Sequence, residues 1–243
     1  MNAPRFRLAV GILFVAGLFA ACDEPISLQT DHQSVAPGGA KKAEVELRMG
    51  AGELRLSGAA QEALLEATFK YNRARLRPEV DYRVSGDTGV LRIGARRSSG
   101  IHFGRVHNEW DLRLADSLPT DLKVNLGAGE NHLDLRGIDL SRLEVDMGVG
   151  EVILDLRGPH ARSFRVTIDG GVGSGKIYLP AEVGVRARVH GGLGSVNTRG
   201  LVKEGGVYTN EAYGKSAVTI EVEVSAGIGS LDLRVGPDDH GRI

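Results

Sequence analysis

VNLGAGENHLDLRGIDLSRLEVDMGVGEVILDLRG, residues 124–158, states one pattern twice. Apolar residues alternate with polar ones on both sides of a Gly-x-Gly. Leu122, Val124 and Leu126 precede the first glycine pair, with Leu133 and Leu135 after it; Leu143, Val145 and Met147 precede the second, with Val152, Leu154 and Leu156 after it. A period of two marks a strand with one buried face. Glycine suits the corner between two such strands, because it accepts positive φ and lets neighbouring backbones approach closely.

Further out, the unit recurs as LRMGAGELRLSG at 47–58, IDGGVGSGKIYLP at 168–180, VHGGLGSVNTRG at 189–200 and VSAGIGSLDLRVG at 224–236. The leading glycines are Gly50, Gly127, Gly148, Gly171, Gly192 and Gly227, and the middle ones are 21, 23 and 21 residues apart. One unit cannot bury its own apolar face, whereas a stack can, and a fixed period of this size marks stacked units. The expected fold is therefore all-β, a solenoid-like or β-helix stack of rungs of about 21 residues. A β-sandwich of repeated hairpins is the alternative, since periodicity leaves open whether equivalent strands pair in parallel.

Leu-Asp-Leu-Arg recurs in register at 133–136, 154–157 and 231–234, which favours the stack. With rungs about 4.8 Å apart, Asp134 and Asp155 should sit beside Arg136 and Arg157 as diagonal pairs on the outer face. Two stretches interrupt the period. Between Gly50 and Gly127 the alternation persists (Leu65, Ala67, Phe69 and Tyr71, then Val80, Tyr82 and Val84, then Leu91 and Ile93), with a short helix over 59–67 as an alternative. Between Gly192 and Gly227 the excess falls around KEGGVYTNEAYGKS, residues 203–216, a hairpin or protruding loop.

The N-terminus carries a different signal. Arg5 and Arg7 precede an apolar run from Leu8 to Ala21 that is too short to span a bilayer and suits a secretory signal. Leu18-Phe19-Ala20-Ala21-Cys22 resembles the lipobox of bacterial lipoproteins, and Cys22, the lipidation candidate, is the only cysteine in the chain. The expected organisation is a signal peptide over 1–21, a flexible tether over 22–42 lifting the protein off the lipid, with a short first strand in that stretch as the alternative, and one repeat domain over 43–243. The chain would then be an extracytoplasmic lipoprotein, in the periplasm or at the cell surface, held to membrane lipid through acylated Cys22. A formal charge of −1 on 243 residues, with no basic block after the leader, argues against a nucleic-acid partner.

The Gly170–Lys176 run invites a phosphate-loop reading, but Ile177 stands where the magnesium-binding hydroxyl belongs and a strand pattern follows, so no nucleotide is expected. Ser174 and Ser195 occupy the corner place held by Glu130 and Glu151 in other units, which makes them structural. His102 and His107 are the one close histidine pair, in a loop, and the default for both is surface. Trp110 is expected in the core at the start of the stack. Tyr208 and Tyr213 are candidates for stacking against carbohydrate or protein.

With these repeats in hand, the chain resembles the bacterial toast-rack β-repeat family. The likeness rests on MGAGELRLSG, on LLEATFKYN followed by RPEVDYRV, on NEWDLRLADSLPTDLKVNLGAGENHLDLRG and on GVGEVILDLRG, and covers roughly residues 41–236. It implies a β-helix-like domain of envelope proteins, whose relatives include extracytoplasmic domains of cell-wall stress regulators and repeats assigned as adhesins. It implies no catalytic residues, and no cofactor is expected. The expected function is a lipid-anchored, non-catalytic interaction, adhesion or scaffold module that binds a protein or a cell-wall polysaccharide. The alternatives are a carbohydrate-active enzyme on a β-helix and an accessory sensor in cell-wall stress signalling.

Overall fold

The computed structural model of the chain describes residues 28–95, 107–192 and 194–236. Their strands are β1 (Gln29–Val35), β2 (Lys42–Ala59), β3 (Leu65–Tyr71), β4 (Pro78–Ser85), β5 (Thr88–Ala95), β6 (Asn108–Ala115), β7 (Thr120–Asp134), β8 (Leu140–Asp155), β9 (Phe164–Pro180), β10 (Gly184–Gly191), β11 (Gly194–Arg199), β12 (Val202–Glu204), β13 (Val207–Thr209) and β14 (Thr219–Gly236). The only helical piece among the described residues is a 3-10 turn at Ala74–Leu76. The helix alternative for 59–67 is therefore set aside: the chain bends between β2 and β3, and Leu64 and Leu65 are both buried.

β2, β7, β8, β9 and β14 each run through their Gly-x-Gly as one strand of 15 to 18 residues. All four contacts in that series are parallel, and pairing continues through the corner, with Ala128 opposite Val149 and Gly129 opposite Gly150. Parallel in-register pairing is the stacked arrangement, not a row of hairpins. The buried set changes parity at the corner: Leu122, Val124 and Leu126 lie on one arm of β7, Asn131 and Leu133 on the other. In a flat strand these two sets would face opposite sides. Since the leucines and valine of both sets share one core, the strand folds over at its glycines and the arms enclose that core between them.

At each end of the stack a rung is split in two. β5 pairs with Lys42–Arg48 of β2 and β6 with Glu53–Ala59, while β10 and β11 divide β14 in the same way. The order in space is β5/β6, β2, β7, β8, β9, β14, β10/β11. The Gly227 rung thus lies between those of Gly171 and Gly192, one place inward of its position in the chain. β6 is covered by β3 and then β1, β5 by β4, and β10 by β13 and then β12; β11 pairs with β14 alone.

Two expectations are corrected. The stretch read as a tether contains β1, which pairs with β3 over seven residues; Tyr71 donates its hydroxyl proton to Asp31 at 2.8 Å. β1 is an edge strand held by backbone bonds, so its sequence has no apolar alternation to announce it. The Asp-Arg pairs, expected as diagonals, form mainly within each strand, because residues two apart share a face: Arg136 with Asp134 at 2.7 Å, Arg157 with Asp155 at 2.7 Å, Arg234 with Asp232 at 2.5 Å. A diagonal contact accompanies them, Arg136 to Asp155 at 3.6 Å. Nor is the middle pair exposed. Asp155 is 0% and Arg157 7% accessible, and the Arg157 guanidinium lies 5.0 Å from the Tyr178 ring of the next rung.

Candidate functional site

The Gly-x-Gly corners bring backbone against backbone. A Cβ on Gly127 would stand 1.9 Å from the Gly50 carbonyl oxygen, and one on Gly171 2.2 Å from that of Gly148. The second glycine of each pair also holds positive φ, +146° at Gly129 and +147° at Gly173. The run that looked like a phosphate loop is such a corner. β9 continues through it as strand, and Lys176 lies on the outer face with Nζ 2.8 Å from Glu151, a hydrogen bond that raises the lysine pKa. Gly175 stands where Asn131 and Val152 do on their rungs, and the two extra residues of this unit sit in the connection between Asp155 and Arg165, clear of the corner.

That register defines a throat between the arms just inside the corners. On one arm its successive side chains are Met49, Leu126, Met147, Gly170, Ala226 and Gly191. On the other they are Trp110, Leu54, Asn131, Val152, Gly175, Leu231 and Val196. The first arm therefore loses its large side chains along the stack, whereas the second drops to Gly175 and resumes with Leu231 and Val196. At the β6 end Trp110 plugs the throat, 1% accessible, packed edge-to-face on Phe69 at 5.5 Å, with its indole N–H donated to Asn108 Oδ1 at 3.0 Å. Asn108 in turn donates to the Ala51 carbonyl at 2.7 Å.

At the β10/β11 end a cavity of about 210 Å³ opens between Met147, Ile168, Val224 and Leu231, with Lys203 and Tyr208 among its lining. Backbone crowding does not impose the glycine at its centre. Gly170 has ordinary φ, and a Cβ there would meet nothing closer than 3.9 Å. No Asp or Glu is among the residues lining this cavity.

A second recess, of about 670 Å³, lies on the outer face around Tyr213, Glu144, Glu221 and Glu223. Two of its three carboxylates are engaged by cations: Glu144 takes Lys123 Nζ at 2.9 Å and Glu221 takes Arg165 at 2.9 Å. The Lys123 hydrogen bond holds Glu144 below the ordinary carboxylate pKa, so it is a charged acceptor at neutral pH and poorly placed to donate a proton.

Of the aromatic candidates, Trp110 is core as expected, Tyr208 is buried as the cap over Ala187, and Tyr213 stands 40% accessible. Ser174 and Ser195 align with Glu130 and Glu151 through the corner register. His107 lies 3.0 Å from Glu109, whereas His102 falls outside the described residues, as do Cys22 and the whole leader. Among the described residues no helix is long and apolar enough to cross a membrane. Sequence reasoning missed the open throat. Its signal was the glycine at positions 170 and 175, where the rungs before them in the stack carry Met or Leu in the first column and Trp, Leu, Asn or Val in the second, but that signal is readable only once the register is known.

A crystal structure of a "putative cell adhesion protein" from Clostridium sporogenes superposes with a TM-score of 0.80 at 34% identity, covering 86% of this chain and 100% of that one. A "putative adhesin" from Bacteroides fragilis matches over 85% of this chain and 97% of its own at 12% identity, with a TM-score of 0.31. No curated protein matches the chain. The model of the N-terminal domain of toast_rack, DUF2154, matches residues 24–178, more than half of the sequence, and the rungs it covers are the ones described above, so the chain belongs to the toast-rack family.

Proposed function

We propose that the chain is a lipid-anchored module of the bacterial envelope that binds a partner and catalyses nothing. The observation that carries the reading is the near full-length likeness to a protein described as a cell adhesion protein, 34% identical over 86% of this chain. Two features support binding over hydrolysis. The throat is free of carboxylates among its lining residues, and two acidic residues of the outer recess, Glu144 and Glu221, are held as ion pairs, which suits a regular docking face better than an acid/base pair of split pKa. Anchoring rests on the lipobox-like Leu18–Cys22, with Cys22 as the acylated residue.

Fractionation of cells carrying Cys22→Ser tests the anchor. The variant should move from the membrane to the soluble fraction, and continued membrane retention would remove the lipoprotein reading. Incubation of the protein with a panel of envelope polysaccharides tests the absence of catalysis: turnover lost on substitution of one or two carboxylates would install the enzyme alternative in its place.

A further inference from the structure

Among the described residues, every other free edge of the sheet is defended. β1 carries Asp31 and His32, β4 carries Pro78, Glu79, Asp81 and Arg83, and β12 is three residues long. Charges, proline and shortness are the usual means of blocking strand addition. β11, sequence GSVNTR, has none of them until its last residue; among the described residues it pairs on one side only, and all six of its residues are exposed. It also borders the open mouth of the throat, where Val196 is 41% accessible beside the cavity.

The opposite end of the molecule shows what such an edge accepts. There the terminal half-rung β6 places Trp110 in the throat in the same column as Val196, and β3 adds as a further strand. We infer that β11 receives an extended segment of a partner protein as the next strand of the stack, with a bulky apolar side chain entering the throat beside Val196 and over Ala226 and Gly191. This deepens, and rests on, the binding function proposed above. Charge selects the occupant. The outer-face column of β11 ends in Arg199 beside Arg234, where β7 and β8 carry Asp134 and Asp155. A segment bearing a carboxylate in that column completes it, whereas antiparallel pairing of β11 with a second copy would bring Arg199 no acidic partner, since GSVNTR contains none. The partner pattern is thus aromatic, polar, β-branched, acidic, beside Val196, Asn197, Thr198 and Arg199 in turn.

The test uses the full chain in detergent and a fluorescein-labelled peptide, Ser-Trp-Thr-Val-Asp-Gly, read by anisotropy against protein-free micelles. Saturable binding is expected. Ala226→Leu, which introduces a residue type found in that column on β7, should weaken binding about tenfold or more, as truncation of an aromatic anchor does, while the thermal midpoint stays at or above that of the parent. Arg199→Glu should weaken it about fivefold, with recovery when the peptide aspartate becomes lysine. No saturable binding, or binding indifferent to Ala226→Leu, overturns the inference. So does a dimer in sedimentation that Thr198→Pro dissolves, which would assign the edge to a second copy. Because Cys22→Ser fractionation does not depend on β11, failure here is distinguishable from failure of the anchored-module reading.

Discussion

The two ends of the stack are built to one plan and finished differently. Each has a rung split into half-strands, with one interior strand, β2 or β14, lying a place inward of its chain position. At the β5/β6 end both halves are covered by further strands and Trp110 closes the throat. At the β10/β11 end only β10 is covered, and the throat is left to Gly170, Ala226 and Gly191. A repeating core has the same need for closure at both ends, so an end that omits the plug while keeping the rung is the place where a second molecule best replaces it.

The comparison presupposes that the corners, and not the ends, carry the stack, and the largest effect should fall there. Gly127→Ala puts a methyl group into the Gly50 carbonyl, backbone against backbone on an interior rung, and should destabilise by more than about 3 kcal/mol. Gly50 has the same place in its rung, yet among the described residues a Cβ there meets nothing within 4 Å, so Gly50→Ala should stay within about 1 kcal/mol. Urea unfolding followed by circular dichroism measures both; equal costs would mean that corner crowding is not what selects glycine. Next comes the plug itself. Trp110→Ala should cost about 3–5 kcal/mol, with the loss concentrated in amide protection of β3 and β6 rather than of β10 and β11. Even loss of protection across the stack would show that the ends are not separately closed.

How much of this was legible follows the same division. The alternation around each Gly-x-Gly and the spacing of Gly127, Gly148 and Gly171 expose the rungs, because side-chain period and backbone crowding are local properties of the chain. The order of the rungs is not local. Val222, Val166 and Ala187 make equivalent rows, and nothing in their own residues says that β14 enters between β9 and β10. β1 was legible only as an alternative because QTDHQSV has no apolar alternation, and the burial of Asp155 was hidden because it depends on Tyr178, 23 residues away in sequence and adjacent only through the register. The throat was hidden for a third reason: Gly170 and Gly175 sit among corner glycines that crowding does require, so a glycine that makes room reads the same as one that avoids a collision.

That distinction has its own test. Gly170→Leu restores to β9 the kind of side chain that Leu126 and Met147 supply on their rungs, in a place with room for it. If the cavity is an unfilled piece of core, the substitution should stabilise by about 0.5–2 kcal/mol, the usual return from filling a void. A loss of stability would mean that Gly170 is needed for the corner after all, and the contrast between the two ends would shrink to the missing cover on β11.

The smallest effect separates the ends by pH. Burial, then the hydrogen bond to Asp31, raises the Tyr71 pKa at the covered end. A tyrosine is uncharged below its pKa, so a raised folded value means that the native state favours the neutral phenol. The resulting stability is complete below the unfolded pKa of about 10 and disappears as the pH rises through the folded value. Between about pH 9 and 11 the parent should therefore lose more stability than Tyr71→Phe, which has no proton to give up. Amide exchange should locate the loosening in β1 and β3, with β11 and its neighbours unchanged. If the β10/β11 end opened first over that range, the cover on the Trp110 end would not be what the Tyr71 hydroxyl secures.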